Sequence, residues 1–256
     1  MSEERPRFLY RYRHLQGKHR EYTSRILTDS VLYFAPPTSF NDPLDCRVHF
    51  QPSIKLTLLR KMFKKLLKEN RPDLSRPLRR LIEREARHVG KDPSLEQITR
   101  GIQDDLDRLG VLSLSASDRN ILLWSHYAMS HSGICLKFLA EENTPLFVGA
   151  QKVEYLTEYP QVHLYDDPDW HIKSFLLTKA HDWSYEQEWR IIDTKGHGNK
   201  SFPDNLLTGV ILGVRMLPED RDYMVNLIKQ RKSPVEICQD NIKEGSFSLE
   251  FEALRL

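Results

Sequence analysis

The hydrophobic pattern changes period twice along the chain, and this change restricts the fold more than any other feature. Segments near both ends alternate residue by residue, as in Phe8–Arg13, which is typical of strands. Between about residues 54 and 109, apolar residues instead recur three and four positions apart, as on one face of a helix. Strands that flank a run of helices predict a single α+β domain over residues 1–256, with a helical insert at about 54–110.

Short alternating or apolar runs bounded by turn-forming residues predict the remaining strands. These runs cover residues 31–35, 111–117, 133–138, 183–192, 209–214, 234–239 and 246–254. A helix is predicted over residues 120–129. Another begins at Pro218, because proline suits the first helical position and the next two residues are acidic.

The charges are unevenly distributed, although the formal net charge is only +2. Residues 1–91 contain 21 lysines and arginines against 10 acidic residues, and residues 92–256 contain 17 against 26. A basic helical insert can attract an anionic partner such as a nucleic acid, because lysine and arginine displace counterions from phosphates. The same imbalance can also hold the two parts of the chain together.

Several classes of protein are excluded by what the sequence lacks. The most apolar run, residues 209–214, is too short to cross a bilayer, so no membrane partner is expected. The opening residues MSEERPRFLY contain no apolar region typical of a secretory signal, so we expect a cytoplasmic protein. The three cysteines are scattered and contain no paired motif, which indicates reduced thiols. His126 and His131 are five residues apart and do not share a helix face, so no metal is expected.

The first informative segment is TSFNDPLDC, residues 38–46. Asn41 and Asp42 are candidate substrate-binding residues, because a polar loop near the first strands can supply hydrogen bonds to a ligand. The alternative is a structural turn, since asparagine and aspartate bond readily to their own backbone.

The second segment is LLWSHYAMSHSGICLKF, residues 122–138. His126, Tyr127 and His131 are candidate ligand-binding residues beside a buried strand, the first two for a cofactor and His131 for a substrate. The alternative is a helix that packs through Trp124 and Tyr127 and ends at Gly133 in the left-handed conformation.

The third segment, WSYEQEWRII, covers residues 183–192 and is the most specific. In an extended strand, Glu186, Glu188 and Arg190 project from one face about 7 Å apart. Two carboxylates on one face repel each other unless a cation or a hydroxylated ligand lies between them. Glu186 and Glu188 are therefore candidate catalytic residues, and Arg190 a candidate substrate-binding residue. The alternative is an exposed face on which Arg190 pairs with Glu188.

Together with FLYRYR, LYFAPPTSFNDPLD and GVILGVRM, these segments resemble a bacterial family of cytosolic proteins of unknown function. More distantly, three strands in this order resemble the Arg–Ser–Glu pattern of ADP-ribosyltransferases. The first carries Tyr10, Arg11 and Arg13, the second is the SLSAS strand, and the third carries the E-x-E pair. The resemblance implies split mixed and antiparallel sheets with a basic helical insertion.

This resemblance also implies roles for individual residues. Arg11 or Arg13, with Tyr10 beside them, contacts NAD phosphate, and Ser113 and Ser115 support the nicotinamide pocket. Glu188 holds the nicotinamide ribose, and Glu186 acts on the acceptor. NAD is then a substrate, and the acceptor is a nucleic acid or a protein. The basic insert favours a nucleic acid or an acidic protein as this acceptor.

Two other functions are compatible with the same residues. In a non-catalytic module that binds nucleic acid or protein, the two glutamates are structural. In a hydrolase or nuclease, His126 and His131 work with the acidic residues. A measurement of NAD binding distinguishes the non-catalytic binding module from the transferase.

Overall fold

The computed structural model describes residues 5–49, 95–141, 143–163 and 166–254. The expected helices before residue 95, and the basic surface of residues 55–91, lie outside the described residues. The helices are α1 (Lys18–Thr28), α2 (Leu95–Leu106), α3 (Ile121–Tyr127), α4 (Pro168–Leu176) and α5 (Pro218–Lys229). None of the described helices is both long enough and apolar enough to span a membrane.

The strands alternate with these helices and confirm the α+β class. They are β1 (Phe8–Arg13), β2 (Val31–Phe34), β3 (Gly110–Ser115), β4 (Ile134–Leu139), β5 (Gln151–Lys152), β6 (Glu154–Leu156), β7 (Thr178–Ala180), β8 (Glu188–Asp193), β9 (Gly198–Ser201), β10 (Leu207–Leu212), β11 (Glu236–Ile242) and β12 (Leu249–Ala253). Eight of them form a mixed sheet in the order β12-β11-β10-β4-β1-β3-β8-β5, while β2 pairs with β9 and β6 with β7.

Both faces of the large sheet are covered, because its central strands bury side chains in both directions. On one face, Leu9 and Leu136 pack with residues of α1 and α5 in the larger hydrophobic cluster. On the other, Tyr12 and Cys135 pack against Trp124 of α3. The ring of Tyr12 meets that of Trp124 edge to face, with centroids 5.3 Å apart.

The sheet opens between β1 and β3. Strand β1 pairs with β4 along its whole length, but it pairs with β3 only where Tyr10 faces Ser115. At the other end of β3, Val111 bonds Ala35 through both its N–H and its carbonyl, at 2.8 and 2.9 Å. The first half of β3 therefore departs from β1, and a gap opens between two adjacent strands at the centre of the sheet.

The strand predicted over residues 183–192 is wrong at its start. Residues His181–Glu186 form a 3₁₀ helix, and the strand begins at Glu188. Gln187 lies between them with φ of 46°, in the left-handed region that non-glycine residues adopt at some cost. Glu186 and Glu188 are therefore separated by a sharp turn and do not share a strand face.

Gly133 does not adopt the left-handed conformation that the packed-helix alternative assigned to it at the end of α3. The left-handed residues there are Met129, Ser130 and His131, with φ between 49° and 69°. The structure requires glycine at position 133 for another reason, since a Cβ would lie 2.2 Å from the carbonyl oxygen of Arg13.

Gly133→Ala is expected to destabilise the protein, because backbone of β1 must move to admit the methyl group. The expected loss is about 1–3 kcal/mol or more, as for overpacking. Gly101→Ala is the matched control, because a Cβ there has no neighbour within 4 Å and Gly101 lies inside α2. We expect the control to gain up to about 1 kcal/mol from helix propensity. Urea unfolding measures both, and equal stability of the two variants would contradict the close approach.

Candidate functional site

A cavity of about 310 Å³ occupies the opening between β1 and β3. The loop at residues 39–41 and the end of α3 also border it. The predicted site residues in its wall are Tyr10, Arg11, Arg13, Asn41, Ser113, Ser115, Tyr127, Glu186 and Glu188. Most of the residues singled out from the sequence therefore converge on one cavity.

Two arginines form the basic side of the cavity. Arg11 reaches across the opening, and its Nη1 donates to the carbonyl oxygen of Ser113 at 3.1 Å. Arg13 lies 3.5 Å from the hydroxyl of Thr23 through Nε. Among the described residues, no carboxylate forms an ion pair with either guanidinium. Burial and the charge of Arg13 disfavour the charged form of Arg11 and lower its pKa to about 9. An anion bound on this side of the cavity would offset both effects, so this side favours an anionic ligand.

Opposite the arginines, Glu188 begins β8 and is bound by a buried guanidinium. Arg190 Nε donates to Glu188 Oε1 at 2.8 Å, and Nη2 donates to Oε2 at 2.9 Å. Arg190 also holds Asp45 in a bidentate pair at 2.9 and 2.6 Å, and it donates to the carbonyl oxygen of Leu176 at 2.8 Å. Its five N–H groups are thereby all used, and its side chain is fully buried.

Lys179, from β7, lies between the carboxylates. Its Nζ is 2.5 Å from Glu186 Oε2, 3.2 Å from Glu188 Oε2 and 3.7 Å from Asp45 Oδ2. This lysine is the cation that relieves the repulsion between the two glutamates. Among the described residues, no group of three His, Cys, Asp or Glu side chains has an arrangement suited to a metal ion.

Glu186 ends the 3₁₀ helix and is held from two further directions. The hydroxyl of Tyr127 donates to Glu186 Oε1 at 2.7 Å, and that of Ser115 donates to the Glu186 carbonyl oxygen at 2.7 Å. The side chain of Asn41 donates to the Tyr127 hydroxyl at 3.3 Å. The loop, α3 and the 3₁₀ helix thus meet through one chain of hydrogen bonds.

The two glutamates have different protonation behaviour, although both are about 95% buried. For Glu188, burial opposes ionisation, but Arg190 and Lys179 outweigh it and lower the pKa to about 2. For Glu186, burial dominates over Lys179 and raises the pKa above its usual value. Burial lowers the pKa of Lys179, but the surrounding carboxylates outweigh it and the net shift is upward. Of these two glutamates, Glu188 therefore favours the ionised form and Glu186 takes up a proton more readily.

The arginines and Glu188 approach the cavity from different faces of the sheet. Ser115 pairs with both Tyr10 and Glu188, so these three side chains share a face. Arg11 and Arg13 alternate with the tyrosines of β1 and leave it on the other face. The Arg–Ser–Glu resemblance leads us to expect Glu186, Glu188 and at least one of these arginines on a single cleft. All of them line the cavity, but Glu188 leaves the sheet on the face opposite both arginines, which counts against the transferase. A common ligand can contact both sides only through the opening between β1 and β3.

Four predicted residues lie elsewhere and have other contacts. Asp42 accepts from the Leu44 N–H at 2.8 Å, which closes a turn. His126 is exposed beside Tyr185, and His131 stacks on Trp124 with a centroid distance of 6.1 Å. Arg190 has no exposed surface and acts on the carboxylates, so a direct contact with substrate is inconsistent with its position.

Sequence reasoning missed Lys179 and the role of Asp45. Asp45 stood in the loop that was singled out, but nothing in the sequence indicated its partner 145 residues away. Lys179 lies in a three-residue strand, TKA, with no hydrophobic pattern. The available signal was the pair Glu186 and Glu188 itself, since two adjacent buried carboxylates require a cation.

Arg190→Leu is expected to destabilise the protein by about 3–5 kcal/mol at pH 7, because it leaves Asp45 and Glu188 buried without their main cation. Arg119→Leu is the control, since Arg119 is mostly exposed and 3.8 Å from Asp118, and its loss should cost less than about 1 kcal/mol. Chemical denaturation at pH 7 measures both. A similar small loss for the two variants would contradict the structural importance of the buried cluster.

No curated protein and no solved structure shows a significant match to the chain. A protein-family model matches a segment of the chain that begins in α3 and ends in β8. This segment contains Tyr127, Lys179, Glu186, Glu188 and Arg190. In agreement with the expected relation to a family of unknown function, residues 123–191 match the family model described as Protein of unknown function (DUF2971).

Proposed function

We propose that this protein is an NAD-dependent enzyme resembling ADP-ribosyltransferases, which transfers ADP-ribose to a macromolecular acceptor, a nucleic acid or a protein. One observation carries the proposal. An ionised buried carboxylate, Glu188, lines a cavity that also contains Arg11 and Arg13, for which no described carboxylate is a partner. Such a cavity matches a ligand that is anionic at one end and becomes cationic at the other.

The chemistry gives Glu188 its role. Cleavage between ribose and nicotinamide builds an oxocarbenium-like cation at the ribose, as in glycoside hydrolysis. A carboxylate beside that carbon stabilises charge that is present mainly in the transition state. Because Arg190 and Lys179 keep the pKa of Glu188 near 2, the group is ionised throughout the physiological range. They also hold both of its oxygens in position, so little reorganisation is needed during the reaction.

The arginines supply the binding site for the diphosphate. A guanidinium presents several N–H donors to phosphate oxygens and forms short charge-assisted hydrogen bonds. Partly buried arginines without an acidic partner are costly, and an anionic ligand removes that cost. The three strands of the Arg–Ser–Glu pattern are adjacent as β1, β3 and β8, which agrees with the resemblance seen in the sequence.

The other candidate functions receive less support from the geometry. A hydrolase that depends on His126 and His131 needs them at the cavity, and neither is in its wall. A non-catalytic module that binds nucleic acid or protein accounts for structural glutamates and for arginines that contact an anion, but it does not explain why both line one cavity.

Glu188→Gln tests the proposed role. The variant keeps a similar shape but loses the negative charge, so nicotinamide release from NAD should slow by about 10²–10³-fold. NAD affinity should change little, because the ground-state ribose is neutral. The variant should also be less stable, since Arg190 and Lys179 lose the charge of a buried partner. We expect a loss of up to about 3–5 kcal/mol.

Met224→Ala is the control for that loss, since Met224 is fully buried in α5 and its truncation should cost about 2–5 kcal/mol without touching the cavity. Rates are compared per folded molecule at a temperature where wild type and both variants remain folded. Equal rates for Glu188→Gln and wild type would remove Glu188 from the mechanism. Absence of nicotinamide release by wild type would contradict the proposed function.

A further inference from the structure

Glu186 is connected to the cavity by a chain of hydrogen bonds that the Arg–Ser–Glu pattern does not include. Its Oε2 is occupied by Lys179 Nζ at 2.5 Å, and its Oε1 accepts from the Tyr127 hydroxyl at 2.7 Å. Tyr127 in turn accepts from Asn41 at 3.3 Å, and both residues are in the cavity wall. Each oxygen of Glu186 thus accepts one hydrogen bond, and the donor to Oε1 is a hydroxyl that itself lines the cavity. A proton from a molecule that contacts Tyr127 can therefore reach Glu186 through this hydroxyl.

We propose that Tyr127 is a catalytic residue that relays a proton from the attacking nucleophile to Glu186, an inference that rests on the proposed function. The bond between ribose C1′ and the nicotinamide nitrogen breaks, and its electron pair neutralises the pyridinium as nicotinamide leaves. A lone pair of the nucleophile forms the new bond to C1′. The proton of the nucleophile passes to Tyr127 Oη while the phenolic proton passes to Glu186 Oε1, and Glu186 later releases it to water.

The arrangement suits a relay better than a phenolate. Burial and the adjacent Glu186 raise the pKa of Tyr127, so the phenol stays protonated in the resting protein. The raised pKa of Glu186 makes it a better final acceptor than an exposed glutamate. A phenolic oxygen has two acceptor positions, so it can bind the nucleophile as well as Asn41.

The relay also identifies the chemical class of the acceptor. It is needed only when the attacking atom carries a proton, as in a hydroxyl, an amine, an amide or water. A carboxylate acceptor has no proton to lose and would gain nothing from Tyr127. We therefore assign the acceptor to groups with O–H or N–H nucleophiles, among which water gives simple NAD hydrolysis.

Tyr127→Phe tests the relay with NAD and water alone. Removing the hydroxyl should lower nicotinamide release by about 100-fold, which is typical for loss of general acid–base catalysis. Azide is a nucleophile without a proton, so it should restore at least about a tenth of the lost rate in Tyr127→Phe and form ADP-ribosyl azide. Glu186→Gln should behave in the same way, and Glu188→Gln should not respond to azide. A structural defect would not produce this difference between nucleophiles.

Tyr223→Phe is the matched control, because it removes a hydroxyl that bonds Ser24 at 2.8 Å between α1 and α5. It should react like wild type with and without azide. Two results would overturn the relay while the proposed function stands. In the first, wild type hydrolyses NAD and Tyr127→Phe is equally fast. In the second, both Tyr127→Phe and Glu186→Gln are slow but unresponsive to azide. If Tyr127→Phe does not fold, the azide response of Glu186→Gln decides alone. A wild type that releases no nicotinamide overturns both.

Discussion

The arrangement of the site depends on the buried guanidinium of Arg190. It binds Asp45 and Glu188 through four hydrogen bonds of 2.6 to 2.9 Å and a carbonyl oxygen through a fifth donor. Burying such charges costs several kcal/mol per ion, and only saturated geometry offsets that cost. Because Asp45 belongs to a loop near the first strands and Glu188 to β8, the ion pairs attach the loop to the sheet beside the opening.

That attachment gives the cavity its two chemical sides. Lys179 and Arg190 together balance most of the charge of Asp45, Glu186 and Glu188, so the acidic side is anionic by about one charge when all are ionised. The basic side carries Arg11 and Arg13 across the gap between β1 and β3. A single strand pairing, between Tyr10 and Ser115, joins the two strands, and it leaves room for a ligand where other pairs would otherwise form.

Local patterns predicted much of the sheet, but they could not predict how its parts meet. The alternating aromatic residues of Phe8–Arg13 identified β1 with its observed bounds, because alternation of residue types is visible in the sequence. The turn at Gln187 was not visible, since its left-handed conformation is imposed by the surroundings of Glu186 and Glu188. Lys179 was not predicted as a site residue for a similar reason. A charged residue in a short strand indicates a site only when its buried carboxylate partners are known. His126 and His131 were predicted to bind ligands, but neither lines the cavity. Their positions depend on where α3 ends.

Calorimetric titration of NAD tests the central claim that the opening between β1 and β3 is a binding site for this dinucleotide. The account predicts saturable one-site binding by wild type, with a dissociation constant of about 1 mM or tighter. It also predicts that Arg11→Met combined with Arg13→Met weakens binding by at least about tenfold while the protein remains folded, because two charge-assisted contacts to phosphate are lost. No binding of NAD by folded wild type, or equal binding by the double variant, would contradict it.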